Sequence, residues 1–495
     1  MSGLEPCKRG KDLAVCSLRK LDAWSPVCDH GSVNDSLNEI KGRRAVVLGG
    51  GIAGLSAAGV LARHFEEVTL VERDAYPEEP GVRSHATQGA HVHILLAKGL
   101  EVLSRYVPEL GCWFDELGLR EGDLTEHVRL AYAGRWLPRK RSGIAIRPCT
   151  RPVVEHLLRR DVMRRSNITV LSKHKAEGIV GQRRVSGVRL TSGDTERVLE
   201  ADLVVDAMGR ASPSARWLDA LGTAPLKEES LDAGVVYASC LFEPPASIDD
   251  DWVMVAATGH VPSDPNTTAV TRLGPGKMLG SFIVYGWPKP PRSAEGLVAR
   301  TAELTVPHIH RLLRASRPIS DVAVFANTGN RWRRYGQLPW FPDGLVCLGD
   351  TVCSLNPRYA QGMTVAALSS ECLDTELSSW FREHRRLDGF SQRFQKSLED
   401  VLKAPWQMAL AEDRLWVSIA AGKAPGLGQQ LVMKGMSRFL EAVNSDVDVW
   451  IQFMRVAHML DAPTRILSPK MLAAFVRGPA KGAARSEEPH VGTMT

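Results

Sequence analysis

Arg44-Ala45-Val46-Val47-Leu48-Gly49-Gly50-Gly51-Ile52-Ala53-Gly54 is the stretch from which the rest of the chain is read. Five residues with buried-strand character run directly into glycines, and Leu55 to Phe65, rich in Ala and Leu, reads as a helix. Val68-Thr69-Leu70-Val71 reads as a second strand, closed by Glu72. Gly49, Gly51 and Gly54 satisfy G-x-G-x-x-G, and each has a mechanical task. The first permits a tight turn, the second lets backbone N–H groups approach a diphosphate, and the third seats the helix on the sheet. Ala53 lies in the same turn, where unpaired amides and the helix dipole favour an anion. Glu72 follows Gly49 by 23 residues, where a carboxylate accepts from ribose hydroxyls. A carboxylate there opposes a 2′-phosphate, so this crevice is read as a dinucleotide site that disfavours NADP.

Three later segments narrow the ligand to FAD. Asp202-Leu203-Val204-Val205-Asp206-Ala207-Met208-Gly209-Arg210 is an apolar strand with a polar, glycine-containing end, which singles out Asp206 and Gly209. Leu348-Gly349-Asp350 repeats that grammar and puts a carboxylate where a strand opens into a loop, suited to a ribityl hydroxyl. Asn356-Pro357-Arg358-Tyr359-Ala360-Gln361-Gly362-Met363-Thr364 is a turn entering a helix. It offers Pro357, Gly362, Met363 and the 362–364 amides to the pyrimidine edge of a flavin. Each segment alone is a loop entering a helix; together with residues 49–72 they specify FAD.

Composition allows this and excludes several alternatives. The 495 residues suggest about three folding units, and 44 % hydrophobic with 24 % charged residues is ordinary globular material. A formal charge of +6 helps hold an anionic cofactor but is no nucleic-acid stripe. Nine cysteines, an odd number without a CxxC pair, argue against a disulfide framework and for a reducing, cytoplasmic setting. No apolar run approaches the roughly 20 residues of a membrane span.

The expected fold is α/β: a Rossmann-like FAD-binding domain, an inserted mixed-sheet substrate domain and a C-terminal helical region. Residues 1–40 read as a flexible or covering extension, and 41–225 as the first portion of the FAD-binding domain with inserted elements. The substrate sheet is placed at 226–332, the return to the FAD-binding domain at 333–375, helices at 376–481 and a flexible tail at 482–495. Strands are expected at 168–171, 184–190, 197–206, 252–258, 279–285 and 320–326. A helix is expected from Arg151, with Pro152 in its first turn.

With these motifs in order, the chain resembles the FAD-dependent aromatic hydroxylase and squalene-epoxidase-like monooxygenases over most of residues 43–380. Arg83-Ser84-His85-Ala86-Thr87-Gln88-Gly89-Ala90-His91-Val92-His93-Ile94-Leu95-Leu96, with residues 356–364, is especially similar to the actinobacterial branch that includes polyether epoxidases. Thr87 stands where that branch commonly has Pro, and Met208 replaces a small residue. The resemblance implies that Arg83 lies near the flavin or its phosphates, Arg151 against the cofactor, and Asp350 at the ribityl or phosphate region. It also implies O2 as co-substrate and electrons from NADPH or NADH, directly or through a flavin reductase. The substrate would be a lipophilic polyketide, terpenoid or aromatic molecule of specialised metabolism, such as antibiotic biosynthesis, with alkene epoxidation favoured over aromatic hydroxylation.

Such chemistry needs no protein nucleophile, metal or triad, because the cofactor carries it and the protein orients and dehydrates the substrate. Val236, Tyr237, Phe282, Val284 and Tyr285 suit either an apolar cavity wall or core. His91 and His93 have i,i+2 spacing without further ligands at hand, so a flavin-facing or structural role is preferred to metal binding. Arg139-Lys140-Arg141 and the arginines at 331, 333 and 334 suit phosphate, anionic lipid or plain surface. The rival readings are an isoprenoid alkene reductase, a redox-inert FAD-binding structural protein, and a flavin halogenase, whose Trp-x-Trp-x-Ile-Pro segment the chain lacks.

Overall fold

The computed structural model describes residues 42–477, apart from 247, 249, 250, 260–263, 287, 288, 305, 424, 425, 444 and 445. The extension expected over 1–40 and the tail expected over 482–495 lie outside the described residues.

Strand β1 (Gly42–Leu48) enters the glycine turn, helix α1 (Ile52–Leu61) leaves it, and strand β2 (Phe65–Val71) returns alongside β1. Helix α2 (Arg151–Arg164) leads to β3 (Ile168–Leu171), and β4 (Leu203–Asp206) and β5 (Leu345–Cys347) complete a parallel sheet in the order β5-β4-β1-β2-β3. Val47 lies between Leu70 and Val205, and Val205 is opposite Val346. All four are fully buried. Strands covered on both faces read as continuous apolar runs, and each such side chain contributes about 1.5–3 kcal/mol.

Nine of the ten α1 residues are buried, so the helix is apolar all round and has no solvent face. It packs against α2 and against α3 (Gly362–Glu383). It starts at Ile52, earlier than the Leu55 expected, because Gly51 is its extended N-cap. It ends at Leu61. The chain then reverses, the Asn167 amide donates to the Ala62 and Phe65 carbonyls, and Phe65 pairs with Gly42 as the first residue of β2.

The strand expected at 197–206 is two strands, Thr195–Glu200 and β4, separated at Ala201-Asp202. The Asp202 carboxylate accepts from the Arg43 and Arg44 N–H groups, both at 3.0 Å, and turns the chain from an exposed hairpin into the core.

The larger sheet has eight strands, among them Val236–Glu243, Met278–Val284, Asn266–Arg272 and Met254–Thr258 in neighbouring order. Those pairings are antiparallel; Val128–Tyr132, contributed from within 41–225, runs parallel to Met254–Thr258. Side chains alternate across it. Ala238, Cys240 and Phe242 join Leu297, Ile309 and Leu312 from two covering helices in one core. Tyr237 packs elsewhere, with Ile283, Tyr285 and Trp416. Trp416 comes from α4 (Phe390–Ala420), which buries Leu402, Trp406, Leu410 and Leu415 along its length. The architecture is thus a Rossmann-like α/β layer with inserted mixed sheets and C-terminal helices. Among the described residues, no helix is long and apolar enough to cross a membrane.

Candidate functional site

A cavity of about 510 Å³ opens beyond the carboxyl ends of β1, β2 and β4, where open α/β sheets place their ligands. The glycine turn makes its floor. Gly49 has φ +96°, and a Cβ there would stand 2.6 Å from the Ala207 carbonyl oxygen, so no other residue fits. Gly54 lies behind the cavity; its absent Cβ would be 1.8 Å from the Gly49 oxygen, which lets α1 sit directly on the loop. Gly49, Gly51 and Ala53 line the cavity. The α1 N-terminus has no side-chain cap, leaving its first amides for whatever the cavity holds.

Around this floor lies a buried charge cluster. Glu72 accepts from the Gly50 N–H at 2.7 Å and from the Asp74 N–H at 2.9 Å, and pairs with Arg83 at 3.0 Å. Arg83 also pairs with Glu155 at 3.0 Å, and Arg151 Nε donates to the other Glu155 oxygen at 2.8 Å. Burial opposes the Arg83 charge, but Glu155 and Glu72 more than offset it and hold the guanidinium firmly protonated. Burial likewise opposes Glu155 ionisation, and Arg151 with Arg83 pulls its pKa below the ordinary value. Glu72, Arg83 and Arg151 all line the cavity.

Asp206 does not. It is fully buried, accepts from the Met208 N–H at 3.0 Å and from the Ser212 hydroxyl, and shapes the loop after β4. Gly209 lines the cavity at φ +77° and donates its N–H to Thr351 Oγ1 at 2.9 Å. Asp350 also lines it and accepts no hydrogen bond from the described residues. Burial pushes its carboxyl above the ordinary carboxylate range, against the pull of Arg151, Arg210 and Arg331.

Pro357, Gly362 and Met363 form the next wall. The α3 N-terminus has no side-chain cap, and a Cβ on Gly362 would meet nothing within 4 Å. The loop before it is anchored from below by Asp413 of α4. Asp413 accepts from Tyr359 at 2.7 Å, Tyr285 at 3.0 Å, the Asn330 amide at 2.6 Å and the Asn356 amide at 3.0 Å. The Arg358 guanidinium lies 5.4 Å from the Tyr285 ring centre. Of the five residues weighed as wall or core, Tyr237 lines the cavity, Tyr285 joins the Asp413 network, and Phe282 and Val284 fill the far-side core.

His91 and His93 both line the cavity, and burial lowers each pKa to about 4. Among the described residues no three His, Cys, Asp or Glu side chains gather to hold a metal. Cys347 and Cys353 are free thiols in the core. Arg139 and Lys140 pair with Asp251 and Asp448, while Arg333 and Arg334 pair with Glu228 and Glu229.

Glu155 and Asp413 escaped the sequence reading, yet each left a trace. Glu155 stands four residues after Arg151 on one helix face, a spacing that forms ion pairs. Asp413 follows Leu410 by three and Trp406 by seven, an acid on the apolar stripe of a helix. Buried acids of that kind have partners.

The site fits a flavin dinucleotide: two uncapped helix N-termini for anions, Glu72 beside the turn, and Asp350 with no hydrogen-bond donor among the described residues. The chain matches the FAD binding domain family over residues 43–403 and belongs to it. It is therefore an FAD-binding protein. It is 33 % identical over 347 residues to Protein Rv3254 of Mycobacterium tuberculosis, covering 66 % of this chain and 71 % of that protein. Over 354 residues it is 28 % identical to the 6-methylpretetramide 4-monooxygenase of Streptomyces rimosus, covering 65 % and 71 %. A solved structure of the flavin-dependent brominase Bmp2, a triple mutant, shares the fold with TM-score 0.59 and 12 % identity, over 88 % of this chain and 99 % of that one.

Proposed function

We propose that this protein is an FAD-dependent monooxygenase that inserts one atom of O2 into a lipophilic specialised metabolite, the other atom leaving as water. NADPH or NADH supplies the two electrons, directly or through a separate flavin reductase. The observation that carries the reading is the continuity of one cavity, from the glycine turn to Tyr237, Phe325, Leu355 and Met363. Bound FAD supplies the O2 chemistry.

The chain's own residues bind and exclude water. The 49–54 turn and α1 amides hold the diphosphate, with Arg151 as the nearby cation. Glu72 accepts from the ribose, kept in place by Arg83, and Asp350 accepts from a ribityl hydroxyl. The 362–364 amides face the pyrimidine edge, with Pro357 and Gly209 closing the walls. Asp206 and Gly54 act from behind by fixing loop shape. Apolar residues at the sheet end desolvate the substrate.

Alkene epoxidation of a polyketide or terpenoid is the first reading, on the resemblance of residues 83–96 and 356–364 to the epoxidase branch. Aromatic hydroxylation is the second, favoured by the name of the Streptomyces relative. The test supplies reduced FAD, isotopically labelled O2 and a panel of polyenes and aromatic polyketides. One labelled oxygen in the product supports the proposal, and epoxide against phenol decides between the readings. Two added hydrogens without O2 would mark a reductase, and halide incorporation a halogenase; either overturns it.

A further inference from the structure

At the sheet end of the cavity, two buried side chains carry polar atoms with no partner among the described residues. His91 is 4 % exposed, and its Nδ1 is 2.8 Å from Ser239 Oγ, while Nε2 is unpartnered. Tyr237 is 2 % exposed, and its hydroxyl is unpartnered. Both residues line the cavity, and their rings meet edge-on with centroids 5.7 Å apart. The Phe325 ring lies 5.9 Å from His91 on another side. Buried polar atoms left open beside a cavity mark where a ligand's polar atom belongs.

The hydroxyls behind His91 fix which kind of atom it presents. Ser239 and Ser281 face each other across neighbouring strands, their oxygens 2.7 Å apart. Ser281 is fully buried, and its hydroxyl has no other partner among the described residues. If His91 donated from Nδ1, Ser239 would donate to Ser281, and the Ser281 proton would have no acceptor. The reverse order satisfies both protons: Ser281 donates to Ser239, and Ser239 donates to Nδ1. Burial keeps the ring neutral at pH 7. The single ring proton is then on Nε2, facing the cavity.

We infer that His91 and Tyr237 form a paired donor site that reads a carbonyl or phenolic oxygen on a flat, otherwise apolar substrate, with Ser239 and Ser281 setting the His91 tautomer. This rests on the oxygen-insertion reading for the meaning of the word substrate. His91 and Tyr237 touch the ligand; Ser239 and Ser281 are positioning residues.

The test uses full-length, FAD-loaded protein and two probes of the same ring skeleton, 1-tetralone and tetralin, read by perturbation of the flavin absorbance. The carbonyl probe should bind about tenfold more tightly than the hydrocarbon. His91→Phe and Tyr237→Phe should each erode that preference, read as the ratio of the two affinities. Labelling with 15N-histidine should show His91 as the neutral Nε2–H tautomer at pH 7, and Ser239→Ala should populate the other tautomer. Equal binding of the two probes, binding of neither, a preference that survives both phenylalanine variants, or an Nδ1–H ring in the wild type would overturn the inference. Absence of labelled-oxygen insertion with FAD bound would instead defeat the monooxygenase reading and leave these results standing.

Discussion

The glycine-turn end of the cavity is built largely from one continuous segment, Gly42–Glu72, and mostly from backbone. The sheet end takes His91 from a loop, Tyr237 and Ser239 from one strand, Ser281 from its neighbour and Phe325 from a third, with Asp413 of α4 bracing the loop between the two ends. At the first end, geometry forbids side chains: Gly49 and Gly54 are where any Cβ collides. At the second end, side chains meet across large sequence separations. The turn at the first end is thus a local object, whereas the meeting of side chains at the second is a tertiary one.

The heaviest blow to the second end is Asp413→Ala. It leaves the Tyr285 and Tyr359 hydroxyls and the Asn330 and Asn356 amides without their buried acceptor, beside Arg358. Leaving a buried donor without its acceptor costs about 1–3 kcal/mol, and several lose theirs at once, so the midpoint of urea unfolding should fall steeply. Asp413→Asn keeps one acceptor oxygen and should fall less. An unchanged midpoint for both variants would show that α4 does not brace the 356–362 loop.

Asp350→Ala separates binding from folding. Asp350 satisfies no hydrogen-bond donor among the described residues, and burial disfavours its charge. The FAD-free protein should therefore be as stable as wild type or more so at pH 7, because a folded-state carboxyl pKa raised by burial destabilises the charged form. FAD binding should weaken by about 1.5–3 kcal/mol. Titration of flavin fluorescence gives the second number and thermal unfolding the first. A variant that keeps wild-type FAD affinity removes Asp350 from the site.

The same contrast explains what the sequence disclosed. G-x-G-x-x-G, the carboxylate after the second strand, and the glycines at 209 and 362 are short-range signals, and each lies on or directly behind the cavity. The register of the eight-stranded sheet is not short-range. Val236, Phe282 and Val284 have the same β-branched or aromatic character as Tyr237, and only strand pairing decides which face each takes. Arg83 was legible as a residue of the site but not as the partner of Glu72 and Glu155, since ion pairing between a loop and a distant helix leaves no periodic trace. Arg159, a charged residue of α2, is buried with its guanidinium 5.0 Å from the Tyr76 ring centre. Charge alone would place such a residue at the surface, and the neighbouring aromatic ring gives it a buried place instead.

Gly51→Leu tests whether the turn acts through backbone approach. A Cβ there would stand 3.3 Å from Arg151 Nη2 and 3.6 Å from Glu155 Oε1, so a longer side chain must enter the cavity or push the ion pair aside. Overpacking of this kind costs about 1–3 kcal/mol. The loss should appear in FAD affinity with little change in the circular dichroism spectrum. Gly51→Ala should do less, its methyl needing the Arg151 guanidinium to give by only a few tenths of an ångström. Equal affinity for both variants and wild type would mean that no diphosphate approaches Gly51.

The smallest expected effect sharpens the comparison from the other side, because the sheet domain also contains a purely local device. Ser293 is extended at φ −127° and its hydroxyl accepts from the Gly296 N–H at 3.1 Å, capping helix Ala294–Thr301. That helix buries Leu297 in the core on the far face of the eight-stranded sheet. Ser293→Ala should lower stability by about 1 kcal/mol, the usual worth of an N-cap. Neither Ser293 nor Leu297 lines the cavity, so FAD affinity and the preference for a carbonyl probe should both stay at wild-type values. If the cap is lost and the probe preference falls with it, the far-side helices and the cavity-side residues move as one body. If stability alone falls, the two faces of the sheet are energetically separate, and His91 and Tyr237 hold their places through the strands that carry Ser239 and Ser281.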